Sequence, residues 1–211
     1  MSSAPRIYRS ELRAQQAIDT RRRIVDASAR LFSSNGYQAT TIAAIAREAG
    51  VSGETVKTAA SKAELLIAAF EVTFSGREGA RSLTDTDVAA GALDLADDVF
   101  LDTVIAQIAA ANARAHALWT VLLGAALSDP VVDDALQEML ARRSADIAQF
   151  VSELMRRGIA GQIEDADATA AALSFLLSPE SYQQLVAQSG RTEDGYRAWV
   201  RRAVLGEVRT P

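Results

Sequence analysis

The stretch from Thr40 to Lys62, TTIAAIAREAGVSGETVKTAASK, gathers hydroxyl, ammonium and helix-terminal amide groups at spacings that suit a phosphodiester backbone. Thr40 and Thr41 stand at an expected helix N-terminus, where hydroxyl and main-chain N–H groups together attract an anion. Ser52, Gly53, Glu54, Thr55 and Thr58 fall on the exposed face or N-terminal end of the next helix, as candidates for base edges. Thr55 offers a methyl to thymine and a hydroxyl to several bases. Glu54 either accepts from cytosine or caps its helix in solvent, and the second reading is preferred. Lys57 and Lys62 suit phosphate. Arg21 and Arg22, with Arg23 beside them and Arg6, Arg9 and Arg13 upstream, suit the backbone or the minor groove; a solvated helix face or tail is the plain alternative for all six.

Other chemistries are poorly served. The chain has no cysteine, which removes thiolate metal sites, disulfides and cysteine nucleophiles, and its single histidine is His116. Asp97-Asp98 with Asp102, and Asp133-Asp134, lack a third ligand at a convincing spacing and read as solvated helix faces. His116, close to Leu118 and Trp119, reads as a satisfied histidine. The chain is therefore expected to be no enzyme and to hold no metal or cofactor. Phe100, Trp119, Leu122, Phe150, Leu154 and Phe175 are core candidates, a few of which would also line an apolar pocket for a small effector.

Charge is divided unevenly. Residues 1–70 carry ten basic and six acidic side chains, whereas residues 71–211 carry twelve basic and twenty-one acidic, within a net charge of −5. A basic end on an acidic body fits one module facing DNA and one facing away, and it excludes a protein that coats nucleic acid without preference. No apolar run resembles a signal sequence and charges interrupt every hydrophobic stretch, so a cytoplasmic protein with no membrane partner is expected.

Positioning these groups requires helices, and no strand pattern, repeat or low-complexity run occurs. Residues 1–18 are expected to be a flexible basic arm, with Pro5 discouraging an early helix. Ile24, Ala27, Ser28, Leu31 and Phe32 form one helical stripe, which Asn35-Gly36 ends with glycine in the left-handed position. A short helix capped by Thr40 or Thr41 buries Ile42, Ile45, Ala46 and Ala49 and stops at Gly50. Ser52 caps a third helix, and Ser61-Lys62-Ala63-Glu64 is a capping box opening a fourth that buries Leu66, Ala69, Phe70, Thr73 and Phe74. Residues 75–90 are expected to be a polar, partly disordered connection. Helices follow near 93–111, 113–127, 130–157, 165–178, 179–189 and 193–207, with Asp129-Pro130 and Ser178-Pro179 as cap-plus-proline starts, Gly158 and Gly161 as stops, and Thr192 as the last cap.

A helix-turn-helix needs a small residue where its helices touch and a glycine four positions later; Ala46 and Gly50 supply them, with Ile45, Ala49, Val51 and Val56 as apolar anchors. With this pattern in place, residues 20–70 resemble the DNA-binding domain of the TetR family of bacterial regulators. The matching string is Ile24, Ala27, Leu31-Phe32, Gly36-Tyr37, Thr40-Thr41, Ile45-Ala46, Ala49-Gly50-Val51-Ser52, Thr55-Val56, Ser61-Lys62 and Leu65-Leu66. Where the family usually has Tyr and Phe, this chain has Lys57 and Ala60, and its recognition-helix region is one residue shorter; Lys57 can reach phosphate but cannot replace aromatic packing. The resemblance implies an all-α protein. Residues 19–62 would form a three-helix DNA-binding domain, and residues 63–211 a larger ligand-binding and dimerisation domain. It further implies a homodimer paired through residues 165–207, a double-stranded DNA operator, and repression released by a small apolar effector. A helical protein–protein adaptor without DNA binding is the alternative.

Overall fold

The computed structural model describes residues 4–89 and 91–209, with side chains described from residue 11 onward within those limits. Among the described residues every regular element is helical: α1 (Ala4–Ala39), α2 (Ile42–Ala49), α3 (Gly53–Ala59), α4 (Lys62–Ser75), α5 (Asp97–Ala126), α6 (Pro130–Arg156), α7 (Ala166–Leu176), α8 (Pro179–Tyr182), which runs on as a π-helical turn over Gln183–Gln188, and α9 (Glu193–Arg209). The expected all-α class and N-terminal helix-turn-helix hold.

Two readings of α1 need correction. Residues 4–18 are helical, not an arm, because Pro5 lies in the first turn, where its missing N–H costs nothing, and strong helix formers follow. Exposed Gln15 donates to Asp19 Oδ1 one turn on, at 3.0 Å. The expectations for the side chains of Arg6 and Arg9 lie outside the described residues; Arg13 is exposed. Gly36 does break α1, but with φ 77° and ψ 178° it is extended on the positive-φ side, not left-handed helical.

α1 to α4 close on one core. Ile24, Ala27 and Phe32 of α1 meet Ile45, Ala46 and Ala49 of α2, Val56 of α3, and Leu65, Leu66, Ala69 and Phe70 of α4. The same core continues into Leu118, Trp119 and Leu122 of α5 and Val132, Leu136 and Met139 of α6. α4 therefore belongs to head and body alike. Thr73 and Phe74 are only partly buried, Phe74 packing against both this core and a second one around Phe100, Leu154, Leu173, Tyr196 and Val204.

α5 is one helix where the sequence suggested a break near residue 112. Asn112 is fully buried and its Nδ2 donates to the Leu177 carbonyl at 3.0 Å, so a residue that competes for local backbone partners is tied across the fold instead, through its amide N–H and not its Oδ1. The described residues of the connection between α4 and α5 are likewise packed against the fold where partial disorder was expected. Glu78 pairs with Arg21, the Asp146 carboxylate accepts from the Ser82 hydroxyl at 2.6 Å and the Leu83 N–H at 3.0 Å, and Val88 and Ala92 are buried. At its far end Arg157, 2% exposed, donates to the carbonyls of Leu93 and Leu95 and pairs with Asp97 at 2.9 Å. The capping expectations at Asp129, Ser178 and Thr192 are met: their side chains accept from the N–H groups of Val131, Ser181 and Gly195.

Candidate nucleic-acid interface and interior cavity

The turn between α2 and α3 carries the geometry of the interface. Gly50 adopts φ 66° and ψ 38°, and its N–H reaches back to Ala46 and Arg47 while the Val51 N–H bonds the Ala46 carbonyl at 3.0 Å. This closes the end of α2 and lets α3 leave at once in a new direction. Ser52 starts α3 by accepting from the Thr55 N–H at 3.0 Å, and the two hydroxyls share a further hydrogen bond of 2.8 Å. Only Val56 of α3 is buried; Ser52, Glu54, Thr55, Lys57 and Thr58 face solvent, and Gly53 is half-buried. Glu54 lies in the first turn of α3, where the helix dipole favours its charge.

The outer members of the expected set divide. Thr41 caps α2 through the Ala44 N–H at 3.1 Å and remains exposed, its hydroxyl proton available to a phosphate. Thr40 does not belong with it. It is 1% exposed, its hydroxyl donates to the Gly36 and Leu31 carbonyls, and its N–H bonds Tyr37, so the chain break at Gly36 consumes its polar groups. Arg21 is also committed inward: it grips Glu78 at 2.5 Å and donates to the Ala59 carbonyl at the end of α3 at 3.2 Å. Its hydrogen bond to Glu78 raises its already high pKa. Arg22 is exposed, with Asp26 at 4.0 Å.

Lys62, in the first turn of α4, lies over the Tyr37 ring at 4.3 Å and reaches the Gln38 carbonyl at 3.5 Å. Tyr37 in turn donates to Asp129 Oδ2 at 2.6 Å, joining the head to the corner between α5 and α6; burial, followed by that bond, drives the phenol well above its ordinary pKa. The pair spans ninety-two positions, so no local pattern signals it. The Ser61 capping box forms as expected, and the Ser61 N–H and hydroxyl hold the Glu64 carboxyl below its usual range.

A half-open cavity of about 120 Å³ lies among Phe70 and Phe74 of α4, Trp119 of α5, Met139 and Ile147 of α6 and the connection around Leu83. Of the six residues expected to bind a ligand, only Trp119 lines it. Phe100 and Phe150 pack together in the second core, Leu122 and Leu154 are fully buried, and Phe175 is 54% exposed. Helical periodicity ranks positions by burial and says nothing of which buried side chains leave a gap. His116 shares a hydrogen bond with Gln183 through Nδ1 and packs against Tyr182; Asp102 pairs with Arg201. No cluster of potential metal ligands occurs among the described residues, and none of their helices is long and apolar enough to cross a membrane.

Residues 24–69 match the sequence model of the family described as "Bacterial regulatory proteins, tetR family". Over these residues the chain is similar to the N-terminal module of the TetR family. Most of the chain shares its fold with solved bacterial regulator structures. One is a TetR-family transcriptional regulator from Rhodococcus sp., 18% identical, with 90% of this chain and 98% of that one aligned and a TM-score of 0.67. Another, from Saccharomonospora viridis, is a transcriptional regulator in complex with choline: 22% identity, 86% and 93% coverage, TM-score 0.66. The fatty acid degradation regulator FadR of Bacillus halodurans aligns at 17% identity, over 88% and 96% of the two chains, with a TM-score of 0.62. No curated protein matches the chain in sequence. The match covers α1 from Ile24 onward, α2, α3 and α4 as far as Ala69; these elements make up the head, and the remainder the body.

Proposed function

We propose that the protein is a sequence-specific DNA-binding transcriptional regulator of the TetR type, a homodimer that represses until a small molecule occupies the body. The single observation that carries this reading is α3, a helix with one buried side chain and five exposed polar ones at and along it, set out from the head by the Gly50 turn. A rod of this width enters a major groove about 12 Å wide. Ser52, Gly53, Glu54, Thr55 and Thr58 meet bases, while Thr41, Arg22, Lys57 and Lys62 meet phosphates. Two copies pair through α7 and α9, which pack against each other, with exposed Phe175 at the contact. Their recognition helices then face successive major grooves about 34–36 Å apart or somewhat more.

Occupation of the cavity acts on α4, because Phe70 and Phe74 line it and Lys62 at the other end of the same helix abuts the head. Coupling between effector and operator is reciprocal and of the order of 1–3 kcal/mol. A relative of this architecture holds choline, which supports small-molecule control of such a body. The protein acts in the cytoplasm and is no enzyme.

Fluorescence anisotropy with the gene's own upstream duplex, against random duplex, tests the proposal across a range of salt concentrations. Selective binding that weakens steeply with salt is expected, with Lys57→Ala reducing the salt slope by about one phosphate contact. Equal binding to both duplexes, or none, would favour the adaptor reading.

A further inference from the structure

We propose that the cavity takes a small monocarboxylic acid with an apolar body about the size of one ring, its carboxylate received by Trp119 Nε1–H and Arg143. The inference rests on the cavity being the effector site and adds the chemistry of what it accepts.

Size limits the body. The cavity holds about 120 Å³, less than the roughly 150 Å³ of a closed apolar cavity that takes benzene, and it opens on one side, so a body of at most about one ring fits. Phe70, Phe74, Met139 and Ile147 give it apolar walls.

An unmet donor fixes the polar end. Trp119 lines the cavity and is 4% exposed, and its Nε1–H, covered by neighbouring atoms, has no acceptor; a small turn of the indole is what brings this donor to a ligand. A buried donor left unpaired costs about 1–3 kcal/mol, which an arriving acceptor recovers.

Charge selects the acceptor. The lining carries Arg81, Arg142 and Arg143 against Glu71 and Asp146, an excess of one positive charge in the wall itself, with Glu138 and Glu180 paired to Arg142 and Arg143 from outside it. The carboxylates are already engaged: Asp146 by Ser82 and Leu83, and Glu71 by the Gly79 N–H at 2.8 Å. The arginines hold their partners loosely, Arg142 to Glu71 at 3.5 Å and Arg143 to Glu180 at 3.4 Å. A cationic ligand would seek the face of Trp119, but the Arg143 guanidinium already stands 5.5 Å from that ring's centroid. The same placement puts Arg143 beside the indole whose N–H is unmet.

Calorimetric titration of the full chain, without DNA, with benzoate, benzamide and benzylamine tests this. Benzoate should bind saturably, at one molecule per chain, at least about tenfold more tightly than benzylamine. In a Trp199→Phe background it should also shift the emission of Trp119, the only other tryptophan. Trp119→Phe and Arg143→Gln should each weaken benzoate by about tenfold, and Arg143→Gln should weaken benzamide less. Thermal melting shows whether each variant folds; should Trp119→Phe fail to, Arg143→Gln decides alone. Benzylamine binding as tightly as benzoate, or benzoate binding that neither substitution weakens, would overturn the inference, as would no saturable binding of benzoate. Because no DNA is present, loss of acid binding leaves the regulator reading intact, and loss of duplex selectivity leaves the acid site intact.

Discussion

The recognition surface and the cavity are built by opposite means. Every residue proposed to meet a base lies between Ser52 and Thr58, positioned by a cap, a left-handed glycine and one buried valine. The cavity draws its lining from positions as far apart as Phe70 and Pro179, and the polar groups that shape it are held by pairs such as Ser82–Asp146, sixty-four positions apart. A surface made from one short helix can change its side chains without disturbing the fold. A cavity made from several helices is part of the core, and a change there alters packing, stability and binding together.

The segment from Gly76 to Ala96 joins the two regions, and two arginines show how differently they depend on it. In the body, Arg157→Ala should be the most damaging of these substitutions. It leaves the carbonyls of Leu93 and Leu95 without their donor and uncovers the Phe100 ring, while Glu153 keeps Arg156, at a cost of about 2–5 kcal/mol measured by chemical denaturation. In the head, Arg21→Ala removes a half-exposed pair and should cost about 1 kcal/mol or less. Equal losses would mean the head is no more self-sufficient than the body.

Phe175→Glu probes a surface that belongs to the body alone. It should weaken the proposed dimer by about 2–4 kcal/mol, seen as a concentration-dependent shift to monomer in light scattering, with little change in the helix content of the chain. Tyr37→Phe probes the latch between the regions. It leaves one oxygen of Asp129 unpaired and should destabilise the chain by about 1–3 kcal/mol, and it should also loosen the coupling between effector and duplex binding.

Ser61→Ala tests a purely local device and should cost about 1 kcal/mol in a thermal melt. The same cap has a pH signature. Because the Glu64 carboxyl is depressed in the folded chain, its contribution is complete above the ordinary carboxylate range and fades as pH falls through the lowered value. Glu64→Gln should therefore cost less in acid than at neutrality.

The amino-acid sequence alone determined the elements whose causes are local. Thr41, Ser52, Ser61, Asp129, Ser178 and Thr192 each cap the helix that their side chains announce, and Gly50 turns the chain where a small residue four positions earlier requires it. These features rest on hydrogen bonds across two to four residues, so a short window contains both partners. What depends on distant partners was decided only by the tertiary structure. Asn112 became helix interior because Leu177 supplies an acceptor, Thr40 turned inward to serve the break at Gly36, and Arg21 was drawn to Glu78. The cavity is the extreme case: alternation of apolar and polar residues marks Phe100, Leu122 and Leu154 as buried as clearly as Trp119, and only the way whole helices lean on one another decides beside which of them a space remains.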